Sequence, residues 1–318
     1  MNEAIISPVD VSLIEAELTP ERFLRTSNKG GNEIYIVTAH NAPNTMREIG
    51  RLREIAFRLA GGGTGLSCDI DRYDTMEVPC SQLIVWDPDS KLILGGYRFI
   101  LGRDIRITPD GAPDIATAHL FGFSDKFMSD YLPYTIELGR SFVRPEYQSS
   151  RAGAKALYAL DNLWDGLGSL TVLNPEIKYL FGKVTMYPSY VAHCRNLILH
   201  FLHKYFPDPD GLVYPLRPLV TDSDEAELDA VFDGGDFKSD LRILNAKVRE
   251  HGVAVPPLVH AYMSLSPTMR MFGTSINDEF GDVEESGILL TIADIFEEKK
   301  QRHIDTFRME ECGSENNQ

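Results

Sequence analysis

The sequence lacks the features that mark several large classes of protein. No run of 18 apolar residues occurs in the chain, so the sequence predicts no membrane-spanning helix. Only four cysteines are present and none forms a Cys-x-x-Cys pair, which argues against a zinc ribbon or a redox pair and suits a reducing compartment. The N-terminal residues carry no cationic stretch followed by an apolar one. We therefore expect a cytoplasmic protein, with peripheral contact on the inner membrane face as an open alternative.

Positive charge is also scarce. The 318 residues include 31 lysines and arginines against 47 acidic residues, a net charge of -16. A field of this sign repels nucleic acids and anionic lipids, so broad binding to either is not expected. An acidic chain can still dock an acidic partner through a local patch of basic residues. With 43% hydrophobic residues, the chain is long enough to bury a large core without disulfides.

Hydrophobic periodicity predicts an alternation of helices and strands. Between Thr45 and Leu59 apolar residues recur at three- and four-residue steps, which predicts a helix. Two strand-like runs follow, joined by the turn at 87–90, and this pattern is typical of a hairpin. Further strands are predicted at 134–143 and 179–186, each followed by a helix. This order indicates a mixed α/β fold rather than a doubly wound parallel sheet.

Four short signatures lie in the first half of the chain. They pair Arg53 with Phe57, Asp71 with Asp74, Gly95 and Gly96 with Arg98, and Glu137 with Arg140. In this order they resemble the acyl-homoserine-lactone synthases. They resemble more closely the bacterial N-acyltransferases that make ornithine and glycine lipids, a group often labelled hemolysin-like. Both groups are GNAT-like acyltransferases, and the second resemblance covers roughly residues 35 to 295.

The resemblance implies a fold and an activity. The fold is α/β of the α+β kind, GNAT-like, with a mostly antiparallel sheet, a splayed parallel strand pair and helices on both faces. One enlarged domain is expected over 33–300, after an N-terminal segment 1–32 and before a disordered tail 301–318. The implied activity moves a (3-hydroxy)fatty acyl group from an acyl-carrier-protein thioester, or acyl-CoA, to the amine of glycine or ornithine in aminolipid synthesis. No tightly bound cofactor and no metal are expected.

The strand at 134–143 carries the groups that this chemistry needs. Side chains alternate along a strand, so Glu137 and Ser141 are predicted on one face and Arg140 on the other. Gly139 is predicted to mark a bulge, and the alternative is a plain bulge without function. In the GNAT-like fold such a bulge frees backbone N–H groups that can hold the pantetheine arm and the thioester oxygen. The predicted donor-binding residues on this strand are Gly139, Arg140, Ser141, Phe142 and Val143.

Acid–base roles follow from the requirements of the reaction. The attacking amine must lose a proton, and Glu137 is the candidate base. A general acid for the leaving thiol is optional, and Tyr187 or Tyr190 could supply it, with Tyr187 preferred. The remaining charged residues are predicted to form an active-site network: Arg53, Asp71, Asp74 and Arg98. The alternative is a purely structural ion-pair network, including Glu137 and Arg140, that holds the N-terminal helix over the sheet.

The loop after this strand is the candidate phosphate site. In the family this loop presents backbone N–H groups at the start of a helix. Here Arg151 stands where the middle glycine belongs, which argues against a coenzyme A diphosphate and is compatible with the single phosphate of a carrier-protein arm. Arg151 and Gly153 are therefore predicted to bind the donor, and Arg151 and Lys155 to dock the acyl carrier protein. An ordinary helix start is the alternative.

Two other functions stay open from the sequence. One is an acyl-homoserine-lactone-type autoinducer synthase that uses S-adenosylmethionine, although the long region after Phe206 argues against it. The other is a non-catalytic protein of the same fold that binds acyl groups or carrier protein.

Overall fold

The computed structural model describes residues 2–148, 154–233 and 235–308. Its helices are α1 (Val11–Glu17), α2 (Pro43–Ala60), α3 (Arg72–Thr75), α4 (Ala154–Leu173), α5 (Ala192–Tyr205), α6 (Glu225–Val231), α7 (Phe237–Glu250), α8 (Pro257–Met263) and α9 (Glu297–His303). Its strands are β1 (Phe23–Thr26), β2 (Glu33–Val37), β3 (Ser81–Asp87), β4 (Leu92–Leu101), β5 (Phe121–Phe123), β6 (Thr135–Val143), β7 (Tyr179–Met186), β8 (Val213–Pro215), β9 (Arg270–Asn277) and β10 (Val283–Thr291). Within these ranges, no helix is both long and apolar enough to cross a bilayer.

The chain divides into two compact units. The first unit contains Met1–Arg106, Pro133–Lys178 and Phe296–Gln318, and the second contains Ile107–Leu132 and Tyr179–Ile295. Each unit is built from more than one stretch of chain. The predicted single domain over 33–300 takes in parts of both units and stays a prediction.

The first unit is a sheet with a helix on each face. Its strands lie in the order β1-β2-β3-β4-β6, and every neighbouring pair is antiparallel. Alternation along β3 turns Gln82 towards α2 and Leu83 towards α4. A Cβ on Gly166 of α4 would lie only 2.6 Å from Leu83 Cδ1, so this glycine lets the helix approach the sheet closely.

Helix α2 extends over the stretch that periodicity predicted, with one or two more residues at each end. Pro43 occupies its first turn, where a missing N–H costs nothing. The first-turn N–H groups are satisfied from outside the helix, because the Glu17 carboxylate accepts from Asn44 N at 3.0 Å and Thr45 N at 2.7 Å. Gly61 ends the helix with a φ of 100°, a left-handed value that favours glycine.

The hairpin of β3 and β4 is also confirmed. The Asp87 side chain organises its turn by accepting from the backbone N–H groups of Asp89 and Ser90 at 3.1 and 3.3 Å. On β4, a Cβ on Gly95 would lie 2.6 Å from Phe142 O, and one on Gly96 would lie 2.8 Å from Leu83 O. These two glycines are therefore required by the close approach of the neighbouring strands.

The described part of the predicted disordered tail is ordered. Residues 301–303 form the last part of α9, and residues 304–308 come directly after it. Ile304 and Phe307 are buried in the first unit. His303 is also buried, and its Nδ1 lies 2.7 Å from Asp165 Oδ1 on α4. The disorder prediction fails here because these apolar residues alternate with charged ones, and helix packing buries them. Residues 309–318 lie outside the described part of the chain.

The second unit contains an antiparallel sheet in the order β7-β10-β9 and a smaller antiparallel pair, β5 and β8. An aromatic cluster fills one side of the larger sheet around Phe181. Its ring centroid lies 5.4 Å from that of Phe127 and 5.9 Å from that of Phe123. With mostly antiparallel sheets and helices packed against them, the predicted mixed α/β fold class is confirmed.

Candidate active site

A buried ion pair lies between α2 and the sheet of the first unit. Arg53 and Asp74 are both fully buried, and Arg53 Nη1 lies 3.2 Å from Asp74 Oδ2. Gln82 on β3 joins them: its Nε2 donates to Asp74 Oδ1 at 2.9 Å, and its Oε1 accepts from Arg53 Nη2. Every partner comes from a different element, so the pair fixes the helix over the sheet.

Helix α3 presents two carboxylates because of its local sequence. Asp71 is the N-cap, and its Oδ1 accepts from Tyr73 N at 2.9 Å and Asp74 N at 3.2 Å. Asp74, at the third position of the helix, accepts a hydrogen bond from Asp71 N through its Oδ2 atom, and this completes a capping box. The Asp-x-x-Asp spacing thus builds a single helical turn, and it leaves carboxylate oxygens that face arginines.

Arg98 on β4 joins these carboxylates. Its Nη1 lies 2.6 Å from Asp71 Oδ2 and 3.4 Å from Asp74 Oδ2, and its side chain is almost fully buried. Burial alone would lower the pKa of Arg98, but the carboxylates of Asp74 and Asp71 outweigh burial and raise the pKa. Burial would likewise raise the pKa of Asp74, whereas Arg53 and Arg98 lower it to about 2. Asp74 and Arg98 are therefore both ionised at neutral pH.

Strand β6 contains a bulge, as predicted, but the extra residue follows Gly139 instead of being Gly139 itself. Opposite β4, Gly96 pairs with Phe142 and Arg98 pairs with Gly139, so β6 has one more residue between the two pairs. The left-handed residue is Arg140, with a φ of 49°, and Gly139 does not have a positive φ. The bulge therefore strains a non-glycine residue, which costs about 1–2 kcal/mol in general.

This conformation overturns the predicted orientation of Arg140. Its Nε lies 3.0 Å from Asp69 Oδ2, and its Nη2 lies 3.5 Å from Asp71 Oδ2. Asp71 Oδ2 also accepts a hydrogen bond from Arg98, which pairs with Gly139 across the two strands. Simple alternation fails because the bulge adds a residue and rotates the strand, so Arg140 joins the network on the face that Glu137 shares.

Glu137 is buried within the first unit, with 2% of its surface exposed. It pairs in register with Ile100, two residues from the Arg98–Gly139 pair, so it faces the same side of the sheet as Arg98. Burial raises the pKa of the nearby Cys80 thiol to about 12, and Glu137 is one of the carboxylates that add to this rise. A thiol with such a pKa stays protonated at neutral pH and is no nucleophile there.

Of the other predicted donor-binding residues, three lie on β6 in the described part of the chain and two do not lie in it. Ser141 lies in the bulge, Phe142 is buried against Gly96 with ring atom Cε1 3.1 Å from an added Cβ, and Val143 pairs with Gly95. Arg151 and Gly153 lie outside the described residues.

Tyr187 belongs to the second unit and follows β7. Burial raises its pKa to about 12, and the carboxylate of Glu285 adds to the rise. Tyr190, the alternative, donates from its hydroxyl to Ala254 O at 2.7 Å. With a pKa of about 12, Tyr187 is a weaker acid than a thiol, whose ordinary pKa is near 8.5.

The arginines and aspartates that were predicted as a network do lie together, and three further members of the cluster were not predicted. These are Asp69, Cys80 and Gln82, which belong to none of the four signatures. Gln82 could have been found, because it stands opposite Arg98 in the hairpin register. Across the described ranges, no group of three or more His, Cys, Asp or Glu side chains is arranged to hold a metal ion.

Comparison with known proteins shows the family of the chain. Residues 52–157, the segment that contains the whole charged cluster, match the acetyltransferase (GNAT) domain family. The chain is 62% identical over 305 residues to a glycine N(alpha)-acyltransferase of Bacteroides thetaiotaomicron, covering 96% of this chain and 90% of that protein. It is 57% identical over 305 residues to a glycine N(alpha)-acyltransferase of Phocaeicola vulgatus, covering 96% and 94%.

More distant similarities are of the same kind. An L-ornithine N(alpha)-acyltransferase of Brucella abortus is 27% identical over 224 residues, covering 68% of each chain. Among solved structures, the acyl-homoserine-lactone synthase BjaI aligns with 15% identity and a TM-score of 0.29, covering 52% of this chain and 72% of that one.

The fold and the domain match define an acyltransferase with a GNAT domain. Its curated relatives are N-acyltransferases that act on amino acids. The chain belongs to the family of the glycine N(alpha)-acyltransferases.

Proposed function

We propose that this enzyme transfers a (3-hydroxy)fatty acyl group from an acyl-carrier-protein thioester to the amine of glycine, as a step of aminolipid synthesis. The observation that carries the proposal is the buried carboxylate of Glu137 on the sheet face that leads to the bulge at Arg140 and Ser141. Glycine is preferred to ornithine as acceptor because the relatives named for glycine are far more similar to this chain.

The reaction assigns each group a task. Glu137 accepts a proton from the ammonium of glycine, and the freed amine attacks the thioester carbon. A C–N bond forms and the C–S bond breaks. The nitrogen gives its second proton to the departing sulfur, directly or through water, so that the thiol leaves, and Tyr187 is our candidate for a hydrogen-bond donor to that sulfur. Backbone N–H groups of the bulge, Ser141 foremost, stabilise the negative oxygen of the tetrahedral intermediate.

The charged cluster positions these groups rather than exchanging protons. Asp74, with a pKa of about 2, stays ionised throughout the neutral range, and Arg98, whose pKa is raised, stays protonated. Because Arg140 lies at the bulge and binds Asp69, the cluster fixes the strand segment that holds the donor. Arg53, Asp71 and Arg98 act through that positioning.

The donor is proposed to be a carrier-protein thioester rather than acyl-CoA. The support is sequence-based: Arg151 replaces a glycine of the phosphate loop, and Arg151 with Lys155 places positive charge in an acidic chain. Arg151→Glu should slow the reaction with acyl carrier protein in a salt-dependent manner and affect acyl-CoA less. An equal effect on both donors would remove the docking role. Peripheral membrane contact stays a prediction based on the lipid product.

The function is tested by thiol release from purified enzyme and 3-hydroxyacyl carrier protein. We expect release on addition of glycine, a smaller response to ornithine, and N-acylglycine by mass spectrometry. Release with S-adenosylmethionine alone would favour an autoinducer synthase instead. Glu137→Gln should lower turnover by about a hundredfold or more with donor binding retained. Glu77→Gln, at a highly exposed position, is the matched control and should retain full activity.

A further inference from the structure

The second unit contains a cavity of about 490 Å³ whose lining includes none of the residues proposed for acyl transfer. It is lined by residues of α5, α6, β9 and the connection 215–223, all of which lie beyond the matched acetyltransferase segment. A volume of this size is typical of a site for one small molecule.

The inner wall of the cavity is apolar. Leu199 and Leu228 each expose 7% of their surface, and they line the cavity together with Leu219. The polar groups of this wall are engaged within the protein. Thr274 Oγ1 lies 2.8 Å from the hydroxyl of Ser286 on β10.

Asn196, another lining residue, is bonded at both ends. Its Oδ1 accepts from Arg195 Nε at 2.6 Å, and its Nδ2 donates to Ser223 Oγ. The inner part of a ligand should therefore be apolar, because it gains more from dispersion and burial than from new hydrogen bonds.

The rim of the cavity is negatively charged. The stretch 218–236 contains seven acidic residues and no lysine, arginine or histidine. Glu225 lines the cavity, and the Oδ1 atom of Asp229 lies 2.8 Å from His200 Nε2. Nearby cations are matched by carboxylates of their own, in the pairs Arg195–Glu284, Arg217–Asp278 and Lys204–Asp240. The uncompensated charge at the rim is that of the acids.

Two histidines of α5 complete the lining. Burial lowers the pKa of His203, and the neighbouring His200 lowers it further, so His203 is neutral at pH 7 and above. The ionisable side chains in the cavity lining or next to it in sequence are His200 and His203 on α5, Glu225 and Asp229 on α6, and Asp222 and Asp224 before α6. Strand β9 contributes only Gly273 and Thr274, which carry no charge.

We propose that this cavity binds an organic cation with an apolar body, an alkyl- or arylammonium. Its apolar part packs on Leu199 and Leu228, and its ammonium group faces Glu225 and Asp229. This combination matches both the apolar wall and the acidic rim, whereas an anion would meet the rim with like charge.

Calorimetry with the full-length enzyme and n-octylammonium tests the proposal. We expect saturable binding that weakens with salt, and at least about tenfold weaker binding of octanoate, which has the same chain and the opposite charge. Octanol measures the apolar contribution alone and should fall between the two. Equal binding of all three would overturn the cationic part of the proposal, and no binding of octylammonium would overturn the site.

A substitution at the mouth locates the binding. Val220 is 84% exposed, so Val220→Lys should fold normally and weaken octylammonium binding by about tenfold. Val220→Gln is the uncharged control and should change binding little. Glu225→Gln should also weaken binding, whereas Glu250→Gln on α7, away from the cavity lining, should not. Unchanged binding in both Val220→Lys and Glu225→Gln would place the ligand elsewhere and refute the proposal.

The pH dependence gives an independent readout. Protonation of His203, whose pKa lies below its ordinary value, adds positive charge beside the ligand in the acidic range, so affinity should rise as the pH is raised from that range to pH 8. A flat or inverted profile would contradict the assigned lining.

Discussion

The Nε of Arg98 lies 3.9 Å from the position that a Cβ would occupy on Gly139. Apart from the two chain neighbours of Gly139, no other atom of the described residues lies within 4 Å of that position. This Nε is buried and has no hydrogen-bond acceptor among the described residues, although Nη1 of the same side chain binds Asp71. Open space, a free donor and the buried Glu137 thus share one face of the sheet.

Gly139→Ala should separate folding from activity at this point. The added methyl has room and the backbone φ is not positive, so we expect a change in unfolding free energy below about 1 kcal/mol. The methyl group would occupy space next to Arg98, and kcat/KM should fall about tenfold. Urea unfolding and thiol release measure the two effects. Gly95→Ala is the contrasting control, because its Cβ would collide with Phe142 O and should destabilise the fold strongly. Full activity in Gly139→Ala would show that substrate does not use this space.

The Arg53–Asp74 pair should show strong coupling. Removing either partner leaves a buried charge, so Arg53→Met and Asp74→Leu should each lower the free energy of unfolding by about 3–5 kcal/mol. The double variant should lose much less than the sum, because no uncompensated charge remains. Denaturant unfolding of the four proteins completes the cycle. Simple additivity would mean that the pair does not act as a unit.

Arg140 should respond to glycine and alanine differently. Both substitutions remove the ion pair with Asp69, but only glycine adopts a φ of 49° without strain. We expect Arg140→Gly to be more stable than Arg140→Ala by about 1 kcal/mol. Both should lose activity, because the cluster no longer anchors the donor strand. Equal stability of the two variants would indicate that the bulge relaxes when the arginine is removed.

The cluster predicts acid sensitivity. Asp74 has a folded-state pKa of about 2 against an ordinary value of 3.8, so its stabilisation is present above pH 4 and is lost as the pH falls towards 2. The loss amounts to about 2 kcal/mol. Unfolding free energies at pH 7, 4 and 2.5 test this, and Asp74→Asn should lack this component of the pH dependence. An unchanged slope in the variant would assign the acid sensitivity to other groups.

Tyr187→Phe should have a smaller effect than Glu137→Gln. With its pKa raised to about 12, the phenol is a poor proton donor to a thiolate, and its loss removes one hydrogen bond to the leaving group. We expect kcat to fall by about tenfold or less. Because Tyr187 stays protonated below pH 10, its ionisation should not contribute to the pH dependence of the activity there. A hundredfold loss would instead identify Tyr187 as an essential acid.

Much of the fold and of the cluster could be predicted from sequence because the signals are local. The three- and four-residue spacing of apolar side chains defined α2, the turn at Asp87 defined the hairpin, and Asp71 with Asp74 forms a capping box from adjacent residues alone. The short strands β5 and β8 gave no such signal, because three residues carry too little periodicity.

By itself, the sequence determined which residue types are available for the proposed chemistry. They are a glutamate and an arginine three residues apart on a strand, and arginines and aspartates that neutralise one another. Tertiary structure alone decided their geometry. Alternation predicted Arg140 on the opposite face from Glu137, but the bulge gives β6 one more residue than β4, and Arg140 turns to bind Asp69. A strand's period is a local property, whereas its register is set by the partner strand, so no pattern along one strand could have placed that side chain.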